Sequence, residues 1–276
     1  MGIVEILKAI LFGIVEGITE WLPISSTGHM ILLDDFVKLN TSATFKAMFL
    51  VVIQFGAILA VIVIYWKNLM PFGFQKRLTV KTDILSMWGK IIVACIPAAI
   101  VGLLWDEEIE AFFYNYRTVS IMLILFGILF IIIENYNRNK QPKISAISKI
   151  SYKTALIIGL FQLIAAIFPG TSRSGATIVG ALLIGVARTT AAEFTFYLAV
   201  PVMFGASVLK LAKFGFHYTG VEVSILLTGM VVAFVVSVLI IKFLMNYIKK
   251  HDFKVFGWYR IALGSIILLY FAVKSF

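Results

Sequence analysis

Six long apolar runs constrain this chain more than any other feature of its sequence. Each run approaches the roughly 20 apolar residues that cross a bilayer as a helix. Hydrophobic residues make up 61% of the 276 positions, which is more than a soluble core of this size can bury. The sequence therefore predicts an all-α, polytopic membrane protein with one membrane domain over residues 1–276. The runs are 47–66, 88–105, 119–133, 191–209, 221–244 and 256–273.

The net charge of +10 has two explanations, a nucleic-acid partner or the positive-inside rule for membrane proteins. Most lysines and arginines fall in three connections, 67–90, 138–153 and 242–260, whereas the connection 106–117 is mostly acidic. Basic and less basic connections thus alternate with each crossing. The alternation indicates membrane orientation, with the basic connections in the cytoplasm and both termini outside. It gives no reason to expect a nucleic-acid partner.

Two stretches of the chain resemble each other and indicate an internal repeat. Residues 159–177, GLFQLIAAIFPGTSRSGAT, align without gaps to residues 13–31. We interpret the chain as two halves, 1–137 and 154–276, joined by the basic linker 138–153. The matched pairs are Gly13 with Gly159, Glu16 with Gln162, Pro23 with Pro169 and Ser26 with Ser172.

The segments that flank each stretch are too short to span a membrane alone. We therefore predict that residues 3–37 and 154–188 are re-entrant hairpins, so that each half has one hairpin and three crossings. Because three is odd, the second half is inverted relative to the first, and the hairpins enter from opposite faces. Irregular backbone at membrane depth is tolerated where it lines a polar cavity. The two hairpin tips are therefore expected to meet around one.

The first tip carries two carboxylates in the motif EGITEWLPISSTGHM, residues 16–30. Glu16 and Glu20 are four residues apart and share one face of a helix. Carboxylates within hydrocarbon are costly and mark functional sites, although a shallow position in contact with water would also accommodate them. As hard oxygen ligands, the pair is a candidate site for a divalent cation, Mg²⁺ or Ca²⁺, that bridges phosphate oxygens.

Three hydroxyl side chains and a histidine follow Pro23 in the same tip. Ser25, Ser26 and Thr27 are natural caps for a helix that begins near His29. Capping needs one hydroxyl, so the others are candidate phosphate ligands. His29 is a candidate for acid–base chemistry or phosphate contact, with a packing role as the alternative.

The second tip, PGTSRSGAT (169–177), places an arginine among small residues. Arg173 needs an anion if it lies within the membrane, the alternative being that it snorkels to the interface. Ser172 and Ser174 add hydroxyl donors, and Gly170 permits a tight turn. Both tips also open helices, whose free N–H groups favour anions. Together the two tips predict a phosphate-binding site.

The stretches EGITEWLPISSTGH and PGTSRSGAT resemble the two signature motifs of the undecaprenyl-diphosphate phosphatase family, the bacitracin-resistance type. The resemblance extends to VVIQFGAILAV (51–61) and AAEFTFYLAVP (191–201), and so covers nearly the whole chain. It implies an enzyme of the bacterial plasma membrane that removes the terminal phosphate of the undecaprenyl diphosphate carrier, recycling that carrier for peptidoglycan synthesis. It also implies an active site open to the outer side, a divalent-cation requirement and bacitracin resistance on overproduction. The family motifs match Glu16, Glu20, Ser25, Ser26, Thr27, His29, Gly170, Ser172, Arg173, Ser174 and Thr177.

The reaction that this resemblance implies is phosphoryl transfer to water, in which positioning and charge neutralisation supply most of the catalysis. We assign Arg173 and Ser172 to the diphosphate oxygens, and Ser26 to nucleophilic attack with His29 as its acid–base partner. The two carboxylates of the first tip hold the cation, or one of them acts as a base. A second route stays open, in which activated water attacks directly and Ser26 only orients the phosphate.

A secondary transporter or flippase of a lipid phosphate is the competing interpretation, because inverted repeats with broken helices are the usual architecture of such carriers. A carrier needs the arginine but hardly needs a nucleophile and a carboxylate pair beside it. The clustering of these groups therefore favours an enzyme.

A pair of glycines in the first apolar segment bears on how the helices pack. Gly13 and Gly17 are four residues apart, a spacing that lets two helices approach closely. The approach is expected either within the fold or at a homodimer contact. The bilayer and the polyprenyl diphosphate are the other expected partners.

Overall fold

The computed structural model describes residues 2–75, 77–215 and 218–274, and within them the chain is almost entirely helical. Six of its helices are long and apolar enough to cross a membrane, namely Ala43–Ile64, Thr82–Phe113, Tyr116–Asn137, Arg188–Phe214, Gly220–Tyr247 and Lys254–Lys274. The six predicted crossings are therefore confirmed by length and composition. The helices are α1 (Gly2–Thr19), α2 (Ser26–Phe36), α3 (Ala43–Ile64), α4 (Trp66–Leu69), α5 (Thr82–Phe113), α6 (Tyr116–Asn137), α7 (Tyr152–Ile167), α8 (Arg173–Leu183), α9 (Arg188–Phe214), α10 (Gly220–Tyr247) and α11 (Lys254–Lys274).

The connection between α3 and α5 departs from the all-α prediction. It holds an antiparallel hairpin of β1 (Phe72–Gln75) and β2 (Arg77–Val80), in which Phe72 pairs with Val80. Aromatic and β-branched residues favour strands over helix. The all-α prediction is wrong for this short connection and holds for the rest of the described chain.

Helix α5 is longer than its apolar run predicts. It begins at Thr82 and ends at Phe113, so most of the acidic connection is helical rather than a loop. The backbone leaves helical geometry at Trp105, where φ is −134° and ψ is 22°, at the end of the apolar run. Beyond this kink, Glu110 approaches Lys210 of α9 at 3.6 Å. The acidic segment is thus folded against the end of α9.

Close packing of α1 on α10 explains the glycine pair. A Cβ atom on Gly13 would lie 2.7 Å from the carbonyl oxygen of Gly229, and one on Gly17 would lie 2.9 Å from that of Ala233. Any larger side chain would push the two helices apart. The glycine spacing therefore serves packing within the fold, and the homodimer stays a prediction.

The two halves of the chain exchange helices. Helix α1 of the first half packs on α10 of the second, and α7 of the second half packs on α5 of the first. Two more contacts join the halves, since α3 packs on α9 and α6 packs on α11. This exchange brings the α1–α2 and α7–α8 turns, which we call the first and second tips, to one place inside the bundle.

Candidate active site

The two tips are in direct contact. Arg173, the first residue of α8, donates from Nη2 to Oε1 of Glu20 at 2.8 Å. Ser174 donates from its hydroxyl to the backbone oxygen of Glu20 at 3.1 Å. Glu16, Glu20 and Ser174 are all buried, so neither the water-exposed position for the carboxylates nor a snorkelling Arg173 describes the structure. The contact between the tips agrees with the sequence prediction.

Each tip ends at a serine with an unusual backbone conformation. Ser25 has φ 72° and caps α2 by accepting the N–H of Gly28, and Ser172 has φ 67° and caps α8 by accepting the N–H of Gly175. A positive φ costs a residue with a side chain on the order of 1–3 kcal/mol and occurs mainly at functional sites. As N-caps, Ser25 and Ser172 occupy equivalent positions, whereas the gap-free sequence alignment matches Ser172 with Ser26. The difference arises because the second tip has one more residue between its proline and its capping serine.

The tips enclose a cavity of about 220 Å³, which adjoins a second cavity of about 480 Å³. Thr27 and Pro169 line both, so the two cavities are direct neighbours. We call the smaller one the inner cavity and the larger one the outer cavity. The outer cavity reaches Glu110 and Lys210, at the end of the molecule that carries the acidic part of α5. The inner cavity is lined by Glu20, Ser26, Thr27, Gln54, Ala98, Gln162, Ala165, Ala166, Pro169, Gly170, Ser172, Arg173, Val202, Met203 and Ala206.

A chain of hydrogen bonds runs through the inner cavity. Ser26 donates from Oγ to Oε2 of Glu20 at 2.8 Å, while the other oxygen of Glu20 accepts from Arg173. A hydroxyl bonded to a carboxylate that a cation orients is the arrangement of an activated nucleophile. The structure therefore gives Ser26 a proton acceptor, and that acceptor is Glu20.

Both terminal nitrogens of Arg173 are held by protein groups, whereas its Nε has no partner among the described residues. Its Nη1 donates to the backbone oxygen of Thr195 at 3.1 Å, and its Nη2 also contacts Sδ of Met203 at 3.4 Å. Its Nε is buried and has no hydrogen-bond partner within the described chain. Buried donors without partners are rare in folded proteins. The free Nε–H is therefore available to an anion in the cavity.

Several further buried polar groups near the tips lack a hydrogen-bond partner, and those of Glu16 and Gln162 bear on a ligand. Oε1 of Glu16 has no partner in the part of the chain that the structure describes. The amide of Gln162, which lines the cavity, has only the thiol of Cys95 beside it, and a thiol is a weak partner. Together with the free Nε–H of the arginine, these groups indicate a site that a polar ligand completes.

The carboxylate pair fits a divalent cation in part. Glu16 offers a buried oxygen without a partner, whereas both oxygens of Glu20 already accept hydrogen bonds. Among the described residues, no group of three or more His, Cys, Asp or Glu side chains is placed to hold a metal ion. A cation here would therefore need phosphate oxygens as further ligands, which is how Mg²⁺ is commonly bound.

His29 lies apart from the inner cavity. Its Nδ1 is 2.7 Å from the backbone oxygen of Ser25, which can only accept, so Nδ1 carries the hydrogen. Its Nε2 is 2.7 Å from the hydroxyl of Tyr259 on α11, and the two rings are stacked. Because both ring nitrogens are engaged there, the structure does not bring His29 to Ser26 as its acid–base partner. It ties α2 to α11 and to the first tip.

The predicted phosphate ligands divide into two groups. Thr27, Gly170, Ser172 and Arg173 line the inner cavity. The hydroxyls of Ser25, Ser174 and Thr177 are buried and bonded to protein groups, so that they shape the tips without lining the cavity.

Gly170 is required by its surroundings as much as by the cavity. It has φ 90°, and a Cβ atom there would lie 2.5 Å from the backbone oxygen of Val119. Any side chain would both strain the turn and push the second tip away from α6. Its place in the motif is therefore a matter of backbone geometry, which is the role that the sequence predicts for it.

Arg260 is a residue at the tips that sequence reasoning missed. It was counted among the basic residues of a connection, yet it is completely buried in α11. Its guanidinium donates to Pro23 of the first tip at 3.2 Å and to Gly170 and Thr171 of the second at 3.0 and 2.8 Å, in each case to a backbone oxygen. It has no carboxylate partner within the described residues. Arg260 thus clamps both tips and adds an unpaired positive charge beside the cavity.

The comparison with protein families identifies the chain. The model of the family described as bacitracin resistance protein BacA matches residues 9–266. The chain belongs to this family. The BacA-family chain is 69% identical over 275 residues to the undecaprenyl-diphosphatase of Desulfitobacterium hafniense, covering 100% of this chain and 99% of that protein. It is 66% identical over 270 residues to undecaprenyl-diphosphatase 1 of Clostridium acetobutylicum, covering 98% of each.

Membership in the BacA family confirms the resemblance that the two tip motifs predict. The match spans both halves of the chain and both tips. In this BacA-family protein, Glu20, Ser26 and Arg173 come together although 153 residues separate the first from the last. Gln54 and Gln162 also line the cavity, and polar side chains inside apolar runs are the signal by which the sequence could have shown them.

Proposed function

We propose that this BacA-family protein hydrolyses undecaprenyl diphosphate to undecaprenyl phosphate and inorganic phosphate. The observation that carries the proposal is the chain of contacts from Ser26 through Glu20 to Arg173 in a cavity that both tips line. Phosphoryl transfer to a serine needs a nucleophile, a proton acceptor and a fixed positive charge. The relatives that match over the whole chain bear the name of this activity.

Ser26 is the nucleophile in this mechanism. Its Oγ gives its proton to Oε2 of Glu20 and bonds to the terminal phosphorus, while the anhydride P–O bond breaks and undecaprenyl phosphate leaves. Water then attacks the phosphoserine, Glu20 returns the proton to Oγ of Ser26, and inorganic phosphate leaves. The 2.8 Å contact between Oγ and Oε2 is within the reach that a general base requires.

Arg173 supplies positive charge and orientation at the diphosphate. Its free Nε–H is a donor for a phosphate oxygen, while Nη2 keeps the ion pair with Glu20. The start of α8 adds backbone N–H groups, which favour anions. Arg260 acts on the substrate indirectly. It donates to backbone carbonyl groups of both tips and contributes a second positive charge. His29 positions the first tip through Ser25 and Tyr259.

Of the two predicted cation ligands, Glu16 and Glu20, Glu16 has the free oxygen. A divalent cation, Mg²⁺ or Ca²⁺, would be held mainly by Glu16 and would supply charge neutralisation at the phosphate oxygens. The unpartnered buried oxygen of Glu16 supports this assignment. Glu20 adds negative charge near the cation while its Oε2 accepts the hydrogen bond of Ser26. The cation requirement is tested by chelation, as described below.

The chain is further proposed to be an inverted repeat of residues 1–137 and 154–276, with re-entrant hairpins at 3–37 and 154–188. The exchange of helices between the halves supports a two-fold relation, because α1–α10 and α7–α5 are corresponding contacts. The capping serines with positive φ at both tips support it as well. Since the cavity opens at the acidic end of α5, the positive-inside rule directs the active site to the outer face of the bacterial plasma membrane.

In the cell this activity would return the lipid carrier to peptidoglycan synthesis and give resistance to bacitracin. The test is phosphate release from a short-chain polyprenyl diphosphate by the purified protein in detergent, with and without chelator. Hydrolysis that chelator abolishes and Mg²⁺ or Ca²⁺ restores is the expected result. A transporter of lipid phosphate would release no phosphate in detergent, where no membrane separates two compartments. Release that persists in chelator would remove the cation from the mechanism.

A further inference from the structure

A cavity of about 660 Å³ lies far from the tips and takes no part in the proposed reaction. It is lined by the start of α9, including Arg188, whereas the active-site opening is lined by Lys210 near the end of the same helix. The two sites are therefore at opposite ends of the bundle. We call it the linker pocket, because part of its wall is the basic linker. Its lining includes Lys140, Lys143, Leu183, Gly185, Arg188 and Lys249.

The wall of the linker pocket is fixed by backbone hydrogen bonds. The N–H of Lys143 donates to the oxygen of Gly185 at 2.8 Å, and the N–H of Ala187 donates to the oxygen of Ile144 at 2.8 Å. Nδ2 of Asn137 donates to the oxygen of Leu182 at 2.9 Å. The linker is thus pinned to the turn between α8 and α9, and the pocket is preformed.

The linker pocket carries an uncompensated positive charge. The buried carboxylate of Glu134 accepts from Nε of Arg188 at 2.9 and 3.0 Å, and from the N–H of Phe253 at 3.0 Å, so Arg188 neutralises it. The described residues offer no carboxylate within 4.0 Å of the three lysine ammonium groups. Those lysines are Lys140, Lys143 and Lys249.

An apolar surface continues from these charges. Leu183, at the end of α8, is 50% exposed beside the lysines, and Ile184 and Ile248 also line the pocket. The pocket lies where three candidate membrane spans, α6, α9 and α10, begin or end. A free phosphate ion would use the lysines and leave the exposed leucine without a partner. A phosphate attached to an acyl chain would use both.

We propose that the linker pocket binds the headgroup phosphate of an anionic membrane lipid, with the acyl chains along Leu183. Basic pockets at the cytoplasmic ends of membrane helices are suited to such headgroups. No tip residue takes part, so this inference stands independently of the proposed hydrolysis. The ligand chemistry is a phosphate mono- or diester, and the acyl chain distinguishes the lipid from free phosphate.

The test is native mass spectrometry of the purified full chain titrated with phosphatidylglycerol in detergent. Each lysine near an anionic headgroup contributes roughly a factor of five in affinity, so removing three should weaken binding about 100-fold. A control variant replaces three exposed lysines that lie outside the pocket but at the same end of the bundle, so it loses the same charge. It should bind phosphatidylglycerol within about threefold of the wild-type affinity. The pocket variant is Lys140→Gln/Lys143→Gln/Lys249→Gln, and the control variant is Lys149→Gln/Lys153→Gln/Lys250→Gln.

Two further arms identify the ligand and its place. Phosphatidylcholine and millimolar inorganic phosphate should leave the bound phosphatidylglycerol in place, and a photoactivatable acyl chain should label peptides that contain Leu183. Equal affinity of the two variants would overturn the proposal, as would displacement by inorganic phosphate or labelling confined to the tips. An unfolding temperature equal to that of the wild type in both variants verifies that they are folded.

Discussion

Replacing Arg173 by lysine isolates what the guanidinium does beyond carrying a charge. The arginine contacts Glu20, the backbone oxygen of Thr195 and Sδ of Met203 through two nitrogens, and its Nε remains free for substrate. A lysine has one nitrogen, so it can keep the ion pair with Glu20 only by giving up the anchor at Thr195 and the Nε–H proposed for the phosphate.

The magnitude follows from the loss of the Nε–H contact to the phosphate, which tightens in the transition state, together with the loss of the anchor that orients it. Such a loss costs about 2–4 kcal/mol, which corresponds to roughly 30- to 1000-fold in rate. The fall should appear mainly in kcat, because the lipid tail still brings the substrate to the cavity. The assay is steady-state phosphate release from a soluble short-chain polyprenyl diphosphate in detergent.

Arg188→Lys is the matched control for this substitution. Arg188 likewise pairs with a buried carboxylate, Glu134, but at the other end of α9 from the active-site opening. Its replacement should leave phosphate release within about threefold of the wild type. A change of less than about threefold in Arg173→Lys would refute the role of Arg173 as the transition-state clamp.

Three further outcomes are expected. Glu16→Gln should lower phosphate release at least about 100-fold, because it removes the free carboxylate oxygen proposed for the cation; near-normal release would exclude that role. Arg260→Lys should lower both the rate and the unfolding temperature, since hydrogen bonds from a charged donor are worth about 1.5–3 kcal/mol each; a variant unchanged in both would show that the clamp is dispensable. In a chain lacking Cys95, a cysteine at Lys143 should react only from the cytoplasm and one at Glu108 with an impermeant reagent outside; labelling from one side would contradict the topology.

The sequence could predict the ionisable residues whose burial within a membrane costs free energy. Glu16, Glu20 and Arg173 stand out because charged groups in apolar surroundings need a reason. Glu20 and Arg173 line the inner cavity, and Glu16 is buried one helical turn before Glu20. The crossings follow from length and composition in the same way. The contact between the tips is expected from the predicted repeat, because two predicted hairpins that break at membrane depth must satisfy their backbone groups against protein.

The direction in which each side chain points could not be predicted. His29 follows Ser26 by three residues, yet its ring turns to Ser25 and Tyr259, a contact that only the packing of α2 on α11 creates. Arg260 looked like one more basic residue near the end of a connection. It is buried because α11 begins at Lys254, which carries Arg260 well inside the bundle.

Backbone geometry accounts for the remaining differences. The gap-free alignment pairs Ser26 with Ser172, whereas the caps pair Ser25 with Ser172, because one extra residue after Pro169 lengthens the second tip. A single-residue shift leaves almost no trace in sequence similarity. It decides, however, that Ser26 is the first residue of α2 and that its hydroxyl is free to meet Glu20.

The central claim is that Ser26 attacks the terminal phosphorus with Glu20 as its base. The most direct measurement is the single-turnover rate of phosphate release by Ser26→Ala, compared with wild type and with Ser224→Ala. Ser224 is exposed on α10 and bonds only its own helix, so its replacement removes a hydroxyl away from the cavity. The mechanism predicts a fall of at least about 1000-fold in Ser26→Ala and no change in Ser224→Ala. A Ser26→Ala rate within about tenfold of wild type would contradict it and establish direct attack by water.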